Sequence, residues 1–279
     1  MVSTSKSFIR VLAIAMLAWI APRPSSAFEK VSEGQVKAKN TKRYEFAQAH
    51  GAQFVQSSDG QTVGILWFPA GLTNDPNKRL LVSLHGHASL ATDEFFLWQK
   101  YAEKYRFGIF ALQWWDLGDE VNPRDYLKPN EIYRIVDNLA KDQKIKSGRA
   151  FFHGFSMGSA NSYAVMALDR DIKRDLFGAC ISNAGGLEDD FPGNRIFLAD
   201  PAKASIFKGT HWVMYCGEKE NVDSRSGVNA MKASKQKVEA LGGSVDLFIQ
   251  DPTGDHGGFH RNSQNTESAM KAIERLIPR

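Results

Sequence analysis

The sequence predicts an α/β fold: a mostly parallel, twisted sheet of about eight strands with helices on both faces. Three observations predict it. A hairpin comes first, strand-like and helix-like segments then alternate to the C-terminus, and no repeat, low-complexity tract or Pro/Gly-rich linker divides the run. Alternation of this kind joins parallel strands through crossover helices, which cover both faces of the sheet.

The hairpin is formed by 54–56 and 62–69 around Ser57-Ser58-Asp59-Gly60, a turn that contains Asp-Gly. Further strand-like runs lie at 79–84, 107–113, 151–152, 176–182, 210–216 and 244–250. Helix-like segments fall between them at 93–105, 130–142, 158–168, 228–241 and 267–276. The second of these carries Ile132, Ile135, Val136 and Leu139 at helical spacing. Residues 44–279 are therefore expected to form a single domain, preceded at 28–43 by a polar stretch expected to be a mobile arm.

The first 27 residues read as a cleavable leader. Lys6 and Arg10 make a basic start, Val11 to Ile20 an apolar run of ten, and Ser25-Ser26-Ala27 a small-residue cleavage site. Ten apolar residues are too few to span roughly 30 Å of hydrocarbon, so no stable membrane anchor is expected. No Cys follows the run to carry a lipid. The protein is expected to be secreted or periplasmic. The leader holds three basic residues (Lys6, Arg10, Arg23) and no acid, so its removal lowers the formal charge from +4 to +1. A chain that close to neutral has no electrostatic case for binding nucleic acid. The two cysteines, Cys180 and Cys216, each fall inside a buried strand; free thiols and a bonded pair both remain open.

In open parallel sheets, ligands bind at the carboxyl ends of the strands. Gly154-Phe155-Ser156-Met157-Gly158 stands between a strand and a helix. A serine on so sharp a turn stands clear of the sheet, and its neighbours two residues away must be glycine. A serine hydroxyl needs a positioned base, and His256 lies in the loop after the last strand, with His260 as the spare candidate. An acid must hold the imidazole. Glu218, Glu220 and Asp223 follow the strand at 210–216. Glu218 is too near the strand end to turn to the histidine, so Glu220 is preferred and Asp223 is the alternative. The oxyanion donors are expected at the Met157 N–H and the His87 N–H, with Gly86 as the alternative to His87. His85 and His87, two apart with no carboxylate nearby, are expected to be structural supports; no metal site is expected. Trp114, Trp115, Phe155, Phe191 and Phe259 are candidate substrate-binding rings near these loops, and Asp116 is a candidate either to cap a turn or to touch substrate.

The order Ser, acid, His, together with the HG loop, resembles the α/β-hydrolase superfamily over roughly 54–279. More narrowly, the chain resembles compact secreted esterases, which include polyhydroxybutyrate depolymerases and feruloyl or acetylxylan esterases. Leu84-His85-Gly86, Gly154-Phe155-Ser156-Met157-Gly158, Gly217-Glu218-Lys219-Glu220 and His256 carry the resemblance. Many such esterases have Gly-x-x-Asp after the penultimate strand, and this chain departs from them with Glu220. The resemblance implies an exported serine hydrolase that cleaves soluble or polymer-attached carboxylic esters through an acyl-enzyme, without a cofactor. Only 27 residues separate Ser182 from Thr210, too few for a large lid. A serine peptidase of the same fold is the competing enzyme. A non-catalytic binding protein on the same scaffold is the competing class, against which stands the presence of all four parts.

Overall fold

The computed structural model describes residues 28–118, 125–221 and 224–279. Eight strands form one sheet: β1 Gln53–Gln56, β2 Val63–Trp67, β3 Leu80–Leu84, β4 Gly108–Leu112, β5 Ala150–Phe155, β6 Phe177–Asn183, β7 His211–Gly217 and β8 Ser244–Asp251. Their order is β1-β2-β4-β3-β5-β6-β7-β8. The hairpin β1–β2 and the pair β2–β4 are antiparallel, and every other neighbouring pair is parallel. This is the architecture expected from the alternation of segments.

Side chains alternate across the sheet because the strand repeat is two residues. Val82, Phe152 and Met214 pack on one face beneath α4 (Pro129–Asp142), α5 (Met157–Asp171) and α7 (Val228–Ala240). Leu81, Phe151 and Val213 pack on the other, beneath α3 (Ala91–Tyr105), the short α8 (Gly258–Arg261) and α9 (Ser263–Leu276). The middle strands β3 and β4 are buried along their whole length, as two-sided cover requires.

The stretch expected to be a mobile arm is instead built into the fold. It forms α1 (Glu33–Lys39) and leads into α2 (Thr41–Ala49). Ser32 and Gln35 make a reciprocal capping box at the start of α1, and Asn40 caps α2. Val31 and Val36 are buried, and the Arg43 guanidinium lies 3.2 Å from the centre of the Phe96 ring. Few apolar residues anchor this stretch among many charges, so its periodicity is faint in the sequence. Between β6 and β7 the chain forms α6 (Pro192–Leu198) and a short 3-10 turn, Pro201–Lys203, rather than a lid. Cys180 and Cys216 are both free thiols. Burial pushes Cys216 up to about 11 and Cys180 higher still, so both stay protonated and inert.

Candidate active site

Strand β5 turns into α5 at Ser156, whose φ of 54° and ψ of −115° lie outside the regions open to most L-residues. Holding such a backbone costs about 1–3 kcal/mol and persists only where the surroundings force it. Two of those surroundings are explicit. A Cβ on Gly154 would overlap the Gly158 carbonyl, and one on Gly158 would lie 2.5 Å from Leu84 O. The Ser156 N–H is also tied to Asn183 O at 2.8 Å, which fixes the turn to the end of β6.

The loops after β7 and β8 are zipped together by their backbones. Glu218 N–H donates to Asp251 O and Lys219 N–H to Gly254 O, each at 2.9 Å. Asp251 stiffens the histidine loop, accepting from Thr253 N and Oγ1 and from Asn265 Nδ2. Burial alone would raise its pKa, but these donors outweigh it and hold the carboxyl at about 2. This pairing of loops brings Glu220 Oε1 to 2.9 Å from His256 Nδ1. The contact is an ion-pair approach without an aligned hydrogen bond: His256 Nδ1 and Glu220 Oε2 both lack a partner, while Ser226 Oγ donates to Oε1. A modest rotation of the carboxylate would let Oε2 take the ring N–H.

The His256 ring leans on Phe155, with centroids 4.9 Å apart, so it stands beside the turn that carries Ser156. Ser156 Oγ and His256 form no hydrogen bond among the described residues. Such bonds commonly tighten only when substrate is present. Glu218 pairs with Gln250 Nε2 instead of the histidine. Asp223 lies outside the described residues.

The HG loop runs alongside the serine, since a Cβ on Gly86 would lie 3.3 Å from Ser156 Cβ. Among the described residues, the N–H groups of Met157, Gly86 and His87 donate to no backbone carbonyl, as an oxyanion site requires. Met157 is the first residue of α5, so the positive end of that helix adds to the same field. His85 is buried beneath the loop, and its Nδ1 bonds Gly86 O at 2.8 Å. Burial lowers its pKa to about 4, which keeps it neutral. His87 is exposed and stacks on Tyr126, so the two histidines do not converge on one point. Tyr126, unnoticed in the sequence, accepts the Ala88 N–H at 2.9 Å and steadies this loop. Its own pKa is pushed up to about 12 by burial.

A cavity of about 420 Å³ opens at the serine, with Ser156, Met157, Trp114 and Phe191 among its walls. Three of the expected substrate rings do not line it. Phe259 is completely buried against Trp98 and Tyr215, and Trp115 is packed in the core beneath Lys39. Phe155 supports His256 rather than lining the cavity. Asp116 does cap a turn, accepting the Gly118 N–H. Asn161, Glu188, Arg225 and Ser226, which no sequence motif marks, supply the polar part of the wall.

A second polar cluster lies inside the sheet's other face. Glu94 Oε2 is 3.2 Å from His153 Nδ1 and accepts from Ser83 Oγ at 2.5 Å, and Trp98 Nε1 points at the same His153 nitrogen from 3.3 Å. Burial would raise Glu94, but the bonds from His153 and Ser83 prevail and hold it below the ordinary range. His260 faces this cluster with both ring nitrogens unpartnered, and burial lowers its pKa to about 3. Glu94, His153 and His260 are the one grouping among the described residues whose ligand atoms lie close enough, within 4.8 Å, for a metal ion. Ser83 and Trp98 already occupy Glu94 and His153, so the group is read as a hydrogen-bonded core.

No protein-family profile and no curated protein matches the sequence. Solved structures do match. A fungal esterase from Rhizomucor miehei superposes with a TM-score of 0.64 at 13% identity, over 88% of this chain and 91% of that one. The chain has the α/β-hydrolase fold. A bacterial heroin esterase gives a TM-score of 0.60 at 15% identity, over 88% of this chain and 98% of its own. A thermostable esterase gives 0.54 at 18% identity over 80% of this chain, which spans 62% of that esterase's length. Along the chain, Ser156, Glu220 and His256 come in the order serine, carboxylate, histidine, each following a strand of the sheet.

Proposed function

We propose that the protein is an exported serine hydrolase that cleaves carboxylic esters through an acyl-enzyme. The observation that carries this reading is the strained Ser156 turn with an imidazole–carboxylate pair beside it, His256 and Glu220 at 2.9 Å. His256 Nε2 takes the proton of Ser156 Oγ as that oxygen bonds the ester carbon. The carbonyl oxygen turns towards the N–H groups of Met157 and His87 or Gly86, where each donor is worth roughly 3–4 kcal/mol of barrier. Collapse of the tetrahedral intermediate breaks the bond to the alkoxy oxygen, which leaves as alcohol with the His256 proton. Water, deprotonated by the same imidazole, then releases the acid and restores Ser156. Glu220 holds the ring and stabilises the imidazolium. Esterases of this fold support the reading, and the 1–27 leader pattern supports export with cleavage after Ala27.

Incubation with a fluorophosphonate followed by peptide mass spectrometry tests it. The adduct is expected on Ser156 and lost in Ser156→Ala; an unlabelled Ser156 would sink the reading. A panel of matched esters and amides separates esterase from peptidase, with esters expected to turn over. N-terminal sequencing of exported protein is expected to begin at Phe28.

A further inference from the structure

The cavity at Ser156 does not stand alone. A second one of about 730 Å³ adjoins it, and the two share Tyr126, Lys128, Pro129, Pro192 and Gly193 as walls. One helix floors both. Met157, Ala160 and Asn161 of α5 line the first cavity, and Ala164, Ala167 and Leu168 line the second. Those residues recur every three to four positions, so they share one face of the helix. From Ser156 to Leu168 the helix rises about 18 Å at ~1.5 Å per residue. The far wall is α6, whose Ile196 and Phe197 face the groove. Ile196 is 76% exposed, an apolar side chain left at the rim with nothing over it. Lower down, Lys203 pairs with Asp171, while the exposed Lys128 and the half-buried Glu131 keep charge on the opposite wall.

We propose that this groove takes an unbranched alkyl chain of the ester, so that the preferred substrates carry a chain on the order of a dozen carbons, at about 1.3 Å per carbon of an extended chain. The inference rests on the serine-esterase reading above and names the substrate class of that site. An apolar floor that begins at the nucleophile binds a chain by removing methylenes from water, and its small residues leave room for one. Asn161 and Arg225 stand beside the scissile bond, and Lys128, Asn130 and Glu131 give the second cavity one polar wall opposite the apolar face of α6.

The test compares kcat/KM of the purified protein on 4-nitrophenyl esters of two, four, eight and twelve carbons, below their aggregation limits. The value is expected to rise about two- to fourfold per methylene beyond four carbons while the chain stays in the groove. Ethyl dodecanoate against dodecyl acetate decides whether the groove serves the acyl or the alcohol side. Ala167→Phe narrows the floor and Ile196→Glu puts a charge on the wall. Each is expected to leave the four-carbon ester within threefold of the unaltered protein and to lower the twelve-carbon ester at least tenfold. Ile196→Glu alters an exposed position, so it keeps the test informative should Ala167→Phe fold poorly. Preference for the shortest esters, or an equal loss on short and long ones, overturns the proposal. With Ser156 labelled by fluorophosphonate and short esters hydrolysed, that result removes the groove alone. With no label and no hydrolysis, both readings fall.

Discussion

Two histidine–glutamate pairs of nearly equal length stand in this molecule, one in an open loop and one in the core. His256 and Glu220 approach to 2.9 Å with side chains 42% and 11% exposed. His153 and Glu94 approach to 3.2 Å with side chains 0% and 2% exposed. The chemistry of the partners is the same, so their surroundings decide the role. The loop pair leaves the imidazole within reach of a substrate. The core pair has its partners filled by Ser83 and Trp98, and Asn183 Nδ2 lies 3.3 Å from His153 Nε2. Asn183 Oδ1 is left unpaired there, and turning that amide over would let it accept from the ring. The core pair thus ties β3, β5 and β6 together directly beneath the turn whose Ser156 N–H is held by Asn183 O.

The largest effect should come from the exposed pair. His256→Ala is expected to lower kcat about 10³–10⁴-fold with little change in Tm, because a half-exposed loop ring contributes little packing. Steady-state assays beside a thermal melt check this, and near-normal turnover would return the base role to another group. Glu220→Gln should cost about 10²–10³-fold in kcat, as the ring loses the charge that orients it. Asp223→Ala should leave kcat within twofold, and a reversed order would make Asp223 the acid.

The core pair should fail in the opposite sense. Glu94→Ala removes the carboxylate from a buried pair and is expected to destabilise the fold by about 3–5 kcal/mol. For a chain of this size that is a fall in Tm of roughly 10 °C. At a temperature where the variant remains folded, kcat should stay within tenfold of the unaltered protein. A large loss of kcat with an unchanged melt would show that the two pairs are not separate in function.

Acid should also reach the core before the fold's surface charges matter. His85 and His260 have folded pKa values lowered to about 4 and 3, against 6.5 for an ordinary histidine. Between pH 6.5 and those values the unfolded chain binds protons that the folded chain refuses, so stability falls as pH falls. Each group contributes up to about 1.4 kcal/mol per pH unit in that window. Asp251, held at about 2, adds stability that is present above 3.8 and lost below it. Urea unfolding at pH 7 and pH 5 should show the drop, and His260→Phe should reduce it. An unchanged pH slope in that variant would mean His260 is not buried neutral.

What could be read from the sequence was what is enforced locally. The strained turn at Ser156 demands its own glycines, so the motif reports itself, and hydrophobic alternation reports the sheet. His256 and Glu220 were legible as loop residues at strand ends, because strand order sets where such loops meet. Burial was not legible in the same way. Phe259 and Trp115 fall in stretches that look like open loops in sequence, yet Phe259 is carried by the short helix Gly258–Arg261 and both rings are buried. The Glu94–His153 contact joins residues 59 apart with no local signature. Tyr126 acts on a loop 38 residues away through one hydroxyl, a contact that only the folded chain brings together.

The smallest effect sharpens the comparison most finely. Ser226 Oγ donates to the same Glu220 oxygen that approaches His256, while Oε2 has no partner. One carboxylate oxygen can accept two donors, so Ser226 orients the acid without displacing the histidine. Ser226→Ala frees the carboxylate to rotate and present Oε2 to Nδ1, which replaces one alignment with another. The expected change in kcat is less than about threefold, with no shift in Tm beyond what one surface hydrogen bond supplies. A loss above a hundredfold would mean that Ser226 holds Glu220 as firmly as Ser83 holds Glu94, and that the open pair depends on a fixed support much as the buried one does.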